Sequence, residues 1–137
     1  MTTSDELEEL QMYIAESREH LATIETDLLD MESAGSAMDE KLVNKVFRAA
    51  HSIKGGAGFF GLKKIQELAH KVENVLDLMR SRKMMPNSEI VNLLLLSFDC
   101  LREMINEHGN SNKVDITEFV VALSGLTTSY LPLVSAN

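Results

Sequence analysis

Ala49-Ala50-His51-Ser52-Ile53-Lys54-Gly55-Gly56-Ala57-Gly58-Phe59-Phe60-Gly61 is the stretch on which the fold turns. Up to Ile53 its apolar residues keep helical spacing, and from Gly55 onward four glycines fall within seven residues. Upstream, Leu42, Val46, Ala49 and Ile53 make one apolar stripe, widened by Val43 and Ala50. Downstream, Leu62, Ile65, Ala69, Val72, Leu76 and Met79 make another, with Leu68 and Val75 alongside. Two amphipathic helices joined by a glycine-rich reversal bury their stripes against each other. The spacing therefore predicts one helix from about Ser36–Asp39 to Ala57 and the next from Leu62 to about Lys83, with Phe59 and Phe60 plugging the end of the bundle. At about 100° per residue, His51 near the end of the first of these helices lies about 150° from the stripe centre and faces outward.

Working outward, a long helix is predicted from about Ser4 to Glu32, on a stripe of Leu7, Leu10, Ile14, Leu21, Ile24, Leu28 and Met31 with Ser17 in its one polar slot. Ser33-Ala34-Gly35-Ser36 closes it. After Met84-Met85-Pro86-Asn87-Ser88, with Asn87 or Ser88 as cap, a broadly apolar helix is predicted from Glu89 to about His108. Gly109 to Lys113 reads as a polar loop, and Asp115-Ile116-Thr117-Glu118 as a capping box for a short helix reaching about Thr128. The predicted fold class is all-α: an antiparallel up-and-down four-helix bundle with a short fifth C-terminal helix packed outside. One domain is placed over residues 1–128, and residues 129–137 form a tail or the start of a linker.

The chain has 137 residues and a net charge of −8. That charge is segregated: residues 1–33 hold ten acids and one base, while residues 41–83 hold ten bases and three acids. A basic segment with so few stacking aromatics fits an acidic or phosphorylated protein partner at least as well as nucleic acid, and a solvated helical surface is the plain alternative for most of its lysines. The longest apolar run, Ile90 to Phe98, is interrupted by Asn92 and Ser97, too short for a membrane span of about 20 residues. Cys100 is the sole cysteine, and Met1 is followed by Thr, Ser and acids with no secretory pattern. The expectation is a cytoplasmic protein, monomeric as an isolated domain.

Gly56-Ala57-Gly58-Phe59-Phe60-Gly61 matches the dinucleotide fingerprint G-x-G-x-x-G in letters only, because that motif needs a preceding strand and a βαβ unit. A metal site from His20, His51, His70 and Glu73 is disfavoured: the pair His70-x-x-Glu73 reverses the order that ferritin-like sites use, and the inward positions are apolar. The remaining chemistry is nucleophilic. A neutral imidazole reacts well when one nitrogen holds the proton and the other presents its lone pair. Glu73, on the neighbouring helix, is the candidate to accept the Nδ1 proton of His51. Lys54, one turn on and about 60° around the helix, can steady incoming phosphoryl oxygens. His70 can add a hydrogen bond. Gly55 and Gly56, with Arg48, are assigned to the face that a partner approaches.

His51-Ser52-Ile53-Lys54-Gly55-Gly56-Ala57 resembles the signature of the histidine phosphotransfer domain family, His-Ser-Leu-Lys-Gly followed by small residues. Gly58-Phe59-Phe60-Gly61-Leu62 and Leu68-Ala69-His70-Lys71-Val72-Glu73-Asn74-Val75-Leu76-Asp77 are similar to the amino-terminal phosphotransfer domains of CheA-type chemotaxis kinases. The resemblance implies that His51 is the phosphoacceptor, Glu73 its hydrogen-bond partner, and Lys54 and His70 the supporting residues. It also implies two partners, a kinase catalytic domain that delivers the phosphoryl group of ATP and a response-regulator receiver domain that takes it away. No cofactor and no metal is expected on the domain itself. A free-standing phosphorelay shuttle and a helical adaptor without phosphoryl chemistry remain as alternatives.

Overall fold

Of the long helices that periodicity predicts, the first is broken in two. The computed structural model describes residues 3–130, which form six α-helices and no strand: α1 (Ser4–Leu21), α2 (Ile24–Ala34), α3 (Glu40–Phe59), α4 (Lys63–Arg80), α5 (Ser88–Asn106) and α6 (Thr117–Tyr130). The apolar stripe runs straight through the break, with Leu21, Ile24, Leu28 and Met31 all buried, so hydrophobic spacing does not reveal it. Polar groups make it. Arg102 of α5 donates from Nη2 to the Leu21 carbonyl at 2.8 Å, meeting an acceptor that a continuing helix would have used. Thr23 then opens α2, its hydroxyl donating to buried Asp27 at 3.0 Å, and Lys45 of α3 clamps both side chains at 2.9 and 3.0 Å.

Helices α1, α3 and α5 start on side-chain caps, whereas α4 follows Leu62 without one. Thr3 accepts from the Glu6 N–H at 3.1 Å, Asp39 from Lys41 at 2.9 Å and Asn87 from Ile90 at 2.9 Å. At α6 the reciprocal capping box does not form. Asp115 instead accepts from the Thr117 N–H at 3.0 Å and the Thr117 hydroxyl at 2.6 Å, and the helix begins at Thr117. It runs to Tyr130, past the predicted end at Thr128; the rest of the expected tail, 131–137, lies outside the described residues. The segment predicted as a polar loop winds into a 3₁₀ turn, His108–Lys113.

The most extensive helix pairing is α3 against α4, through Val46, Ala49, Ala50 and Ile53 on one side and Ile65, Leu68, Ala69, Val72 and Leu76 on the other, all of them buried. Helix α6 packs on α4 and α5 only, among the described helices. Leu7, expected on the buried stripe of the first helix, is 49% exposed. Phe59, expected to plug the bundle, is 76% exposed, and only Phe60 packs inward, against Tyr13 at 5.5 Å between centroids.

The glycine stretch also differs from expectation. Helix α3 runs through Gly55, Gly56 and Gly58 without reversing. Gly61 makes the turn, at φ 70°, and the Leu62 and Gly61 amides return to the Ala57 and Gly58 carbonyls at 2.9 and 3.3 Å. Asn112 ties that turn down: its amide donates to the Gly61 carbonyl at 3.0 Å, and its oxygen accepts from the Lys64 N–H at 3.3 Å. No helix among the described residues is long and apolar enough to cross a membrane.

Candidate functional site

The reversal at Gly61 brings the outer flank of α3 beside α4, in opposite directions, and sets His51 and Lys54 against Glu73. The His51 side chain is 62% exposed, as its angular position predicts. Glu73 is buried, and a buried carboxylate needs partners for both oxygens. It has them: Oε2 meets Nδ1 of His51, and Oε1 accepts from the Lys54 ammonium at 2.6 Å. Burial pulls the Glu73 carboxyl upward, but the hydrogen bonds and charges of Lys54 and His51 outweigh it, leaving the group below the ordinary carboxylate range.

An ionised carboxylate only accepts, so Nδ1 carries the ring proton and donates it to Glu73. The lone pair is thereby assigned to Nε2, which makes no hydrogen bond among the described residues. The arrangement is that of a tethered nucleophile: one edge of the imidazole is fixed to a buried anion and the other is open to solvent.

Hydrogen bonds join three of the four residues assigned to this chemistry. His70, the fourth, is exposed on α4 and has no hydrogen bond to His51, Lys54 or Glu73; it lines an open hollow of about 400 Å³ with Lys54, Lys63, Gln66 and Glu67. Lys54 is engaged with Glu73 and does not stand free, although an ammonium keeps two further donors. Arg48 is exposed and makes no ion pair among the described residues. Gly55 is exposed with open space around it, whereas a Cβ at Gly56 would fall 2.2 Å from Cε1 of Tyr13. The missing side chain of Gly56 thus lets α1 pack on α3 and is not an opening toward a partner. The Tyr13 hydroxyl seals that contact, donating to the Ile53 carbonyl at 2.7 Å, and burial pushes its pKa up to about 12.

Phe47, a neighbour of His51, and the Arg80 that covers it were not singled out from the sequence. Phe47, one turn earlier on α3, lies nearly parallel to the imidazole, with an interplanar angle of 11° and centroids 6.1 Å apart. The Arg80 guanidinium of α4 sits 3.9 Å from the centroid of the Phe47 ring. The i, i+4 spacing of Phe47 and His51 signals their proximity. Arg80 is recognisable only once the register of α4 on α3 is known, because in sequence it is one more charge in a basic segment.

Residues 8–110 match the family model described as Hpt domain. A chemotaxis protein CheA of Salmonella typhimurium is 41% identical over 109 residues, which is 80% of this chain and 16% of that protein. The chain thus corresponds to less than a fifth of that relative's length. Among solved structures, a CheA phosphotransferase domain from Thermotoga maritima is 30% identical with a TM-score of 0.66, covering 73% of this chain and 93% of that one. The phosphorylated P1 domain of CheA3 in complex with CheY6, from R. sphaeroides, is 27% identical with a TM-score of 0.71, covering 90% of this chain and 95% of that one.

Proposed function

The chain belongs to the Hpt domain family, and from that premise we propose that His51 is the residue on which it carries a phosphoryl group. The observation supporting this most is the exposed imidazole whose Nδ1 proton is held by a buried, ionised Glu73. In the forward step the Nε2 lone pair attacks the γ-phosphorus of ATP presented by a separate CheA-type kinase domain. The N–P bond forms, the bond to the bridging oxygen breaks, and ADP leaves with that electron pair. The ring becomes an imidazolium carrying phosphorus on Nε2 and the proton on Nδ1, and the Glu73 carboxylate stabilises its positive charge. Lys54 uses its remaining donors on the phosphoryl oxygens. In the second step an aspartate carboxylate of a receiver domain attacks phosphorus, the N–P bond breaks, and its electrons return to Nε2.

Positioning and charge neutralisation are what phosphoryl transfer asks of a protein, so the domain acts as carrier and substrate and not as a kinase. It needs no cofactor of its own on this reading, because ATP arrives with the kinase. A receiver of the CheY kind fits as the acceptor, since a related P1 domain has been solved in complex with CheY6. We further read the helices as an antiparallel up-and-down four-helix bundle, α1 and α2 together forming one broken arm and α6 packing outside. One phosphotransfer domain then occupies residues 1–128 of a cytoplasmic chemotaxis kinase.

Incubation with a CheA kinase core and radiolabelled ATP tests the assignment. The domain is expected to take up acid-labile label, and His51→Gln to abolish it. Label surviving in the variant would overturn the choice of residue.

A further inference from the structure

The hydrogen bond to Glu73 fixes one atom of the His51 ring, but the χ2 torsion of a histidine is broad, and 62% of this side chain is open to solvent. Something else has to hold the plane of the ring if Nε2 is to point one way. The near-parallel Phe47 ring flanks it, and the Arg80 guanidinium covers Phe47 at 3.9 Å from its centroid. Arg80 is in turn held by Asp77, its Nη2 donating to Oδ1 at 2.8 Å. An arginine that is 42% exposed gains little from one surface ion pair, yet this one is laid across a phenylalanine at the edge of the reactive histidine. We propose that Phe47 and Arg80 are positioning residues: Arg80 clamps the Phe47 ring, and Phe47 restricts rotation of the His51 imidazole so that Nε2 meets incoming phosphorus in line. This rests on His51 being the phosphoacceptor.

The test uses Phe47→Leu, Arg80→Met and the double variant, each phosphorylated by a CheA kinase core at varied domain concentration. Both single variants should keep KM for the domain and lose about fivefold in kcat, because orientation acts on the chemical step. The double variant should be no slower than either single one, as for groups acting in series. Arg80→Lys, which keeps a cation over the ring, should recover most of the loss. In NMR spectra the His51 ring protons should shift in Arg80→Met, as the ring current of Phe47 moves off them. Unchanged kcat in the single variants would overturn the proposal, as would losses that multiply in the double variant. A rise in KM alone would make Arg80 a docking contact and overturn it equally. If Phe47→Leu fails to fold, exposed Arg80 with its Met and Lys variants decides the matter. A wild-type domain that takes up no phosphate defeats the phosphoacceptor reading, and the proposal with it; an active wild type beside unaffected variants defeats the proposal alone.

Discussion

In the mechanism proposed for His51 two groups divide the work: the imidazole supplies the lone pair, and Glu73, bonded to Nδ1, determines which nitrogen has it. Burial alone would push the Glu73 carboxyl toward neutrality, and a neutral acid, able to donate as well as accept, would neither fix the tautomer nor offset charge on the ring; Lys54 at 2.6 Å helps keep it charged. Glu73→Gln, in steady-state phosphorylation by a kinase core, should lose at least about tenfold in rate, since an amide can present either a donor or an acceptor to the ring. The same substitution should alter acid stability. A carboxyl held low in the folded state binds fewer protons there than in the unfolded chain, so it stabilises above the ordinary carboxylate range and that stability fades as pH falls through the folded value. Urea midpoints should therefore fall more steeply with acidification in the wild type than in Glu73→Gln. The trio was legible in sequence because each member is a titratable residue one turn from another or opposite it across a short reversal. His70 shows the limit of the same reasoning: one turn from Glu73 brings it to the hollow beside Lys54, but not into hydrogen-bond reach of the trio.

Two helix ends show how an element stops, and they differ in one residue. After α3, Gly61 takes the left-handed position at φ 70°, and the amides of Leu62 and Gly61 close back on the last turn. After α4 the same pattern recurs, with the Lys83 and Arg82 amides on the Leu78 and Met79 carbonyls at 2.8 and 3.0 Å, but the left-handed residue is Arg82 at φ 60°. A side chain there costs roughly 1–2 kcal/mol, while glycine gives back about 0.5–1 kcal/mol through the entropy of the unfolded chain. The exposed contact of Arg82 with Glu40 at 3.2 Å offsets little of the difference. Arg82→Gly should accordingly raise stability by about 0.5–1 kcal/mol in denaturant unfolding, with the slope unchanged. Sequence punctuation located the α3 end to within two residues because a glycine stands there, and overran the α4 end because none does. The break between α1 and α2 left no trace in the apolar spacing, being made by Arg102 and Lys45 from distant parts of the chain.

Across the whole molecule, charge separates by segment: the acids concentrate in α1 and α2, and the bases in the stretch of α3 and α4 that carries His51. Fields of this kind act mainly on encounter and are screened by salt. The rate constant for phosphoryl transfer to a receiver domain at sub-saturating concentration should fall several-fold between about 0.05 and 0.5 M ionic strength, measured by rapid mixing. Salt insensitivity would remove the basic segment from partner capture. At this scale the all-helical class and the helix hairpin at Gly61 could be read from periodicity and glycine placement, because both are local. The pinning of that hairpin by Asn112, about fifty residues away, could not. Everything proposed for the domain depends on where a single proton sits, and long-range ¹H–¹⁵N correlation spectra of the His51 ring near neutral pH read that directly. The expected result is a protonated Nδ1 and a bare Nε2, reverting to a tautomer mixture in Glu73→Gln; a proton resident on Nε2 in the wild type would contradict it.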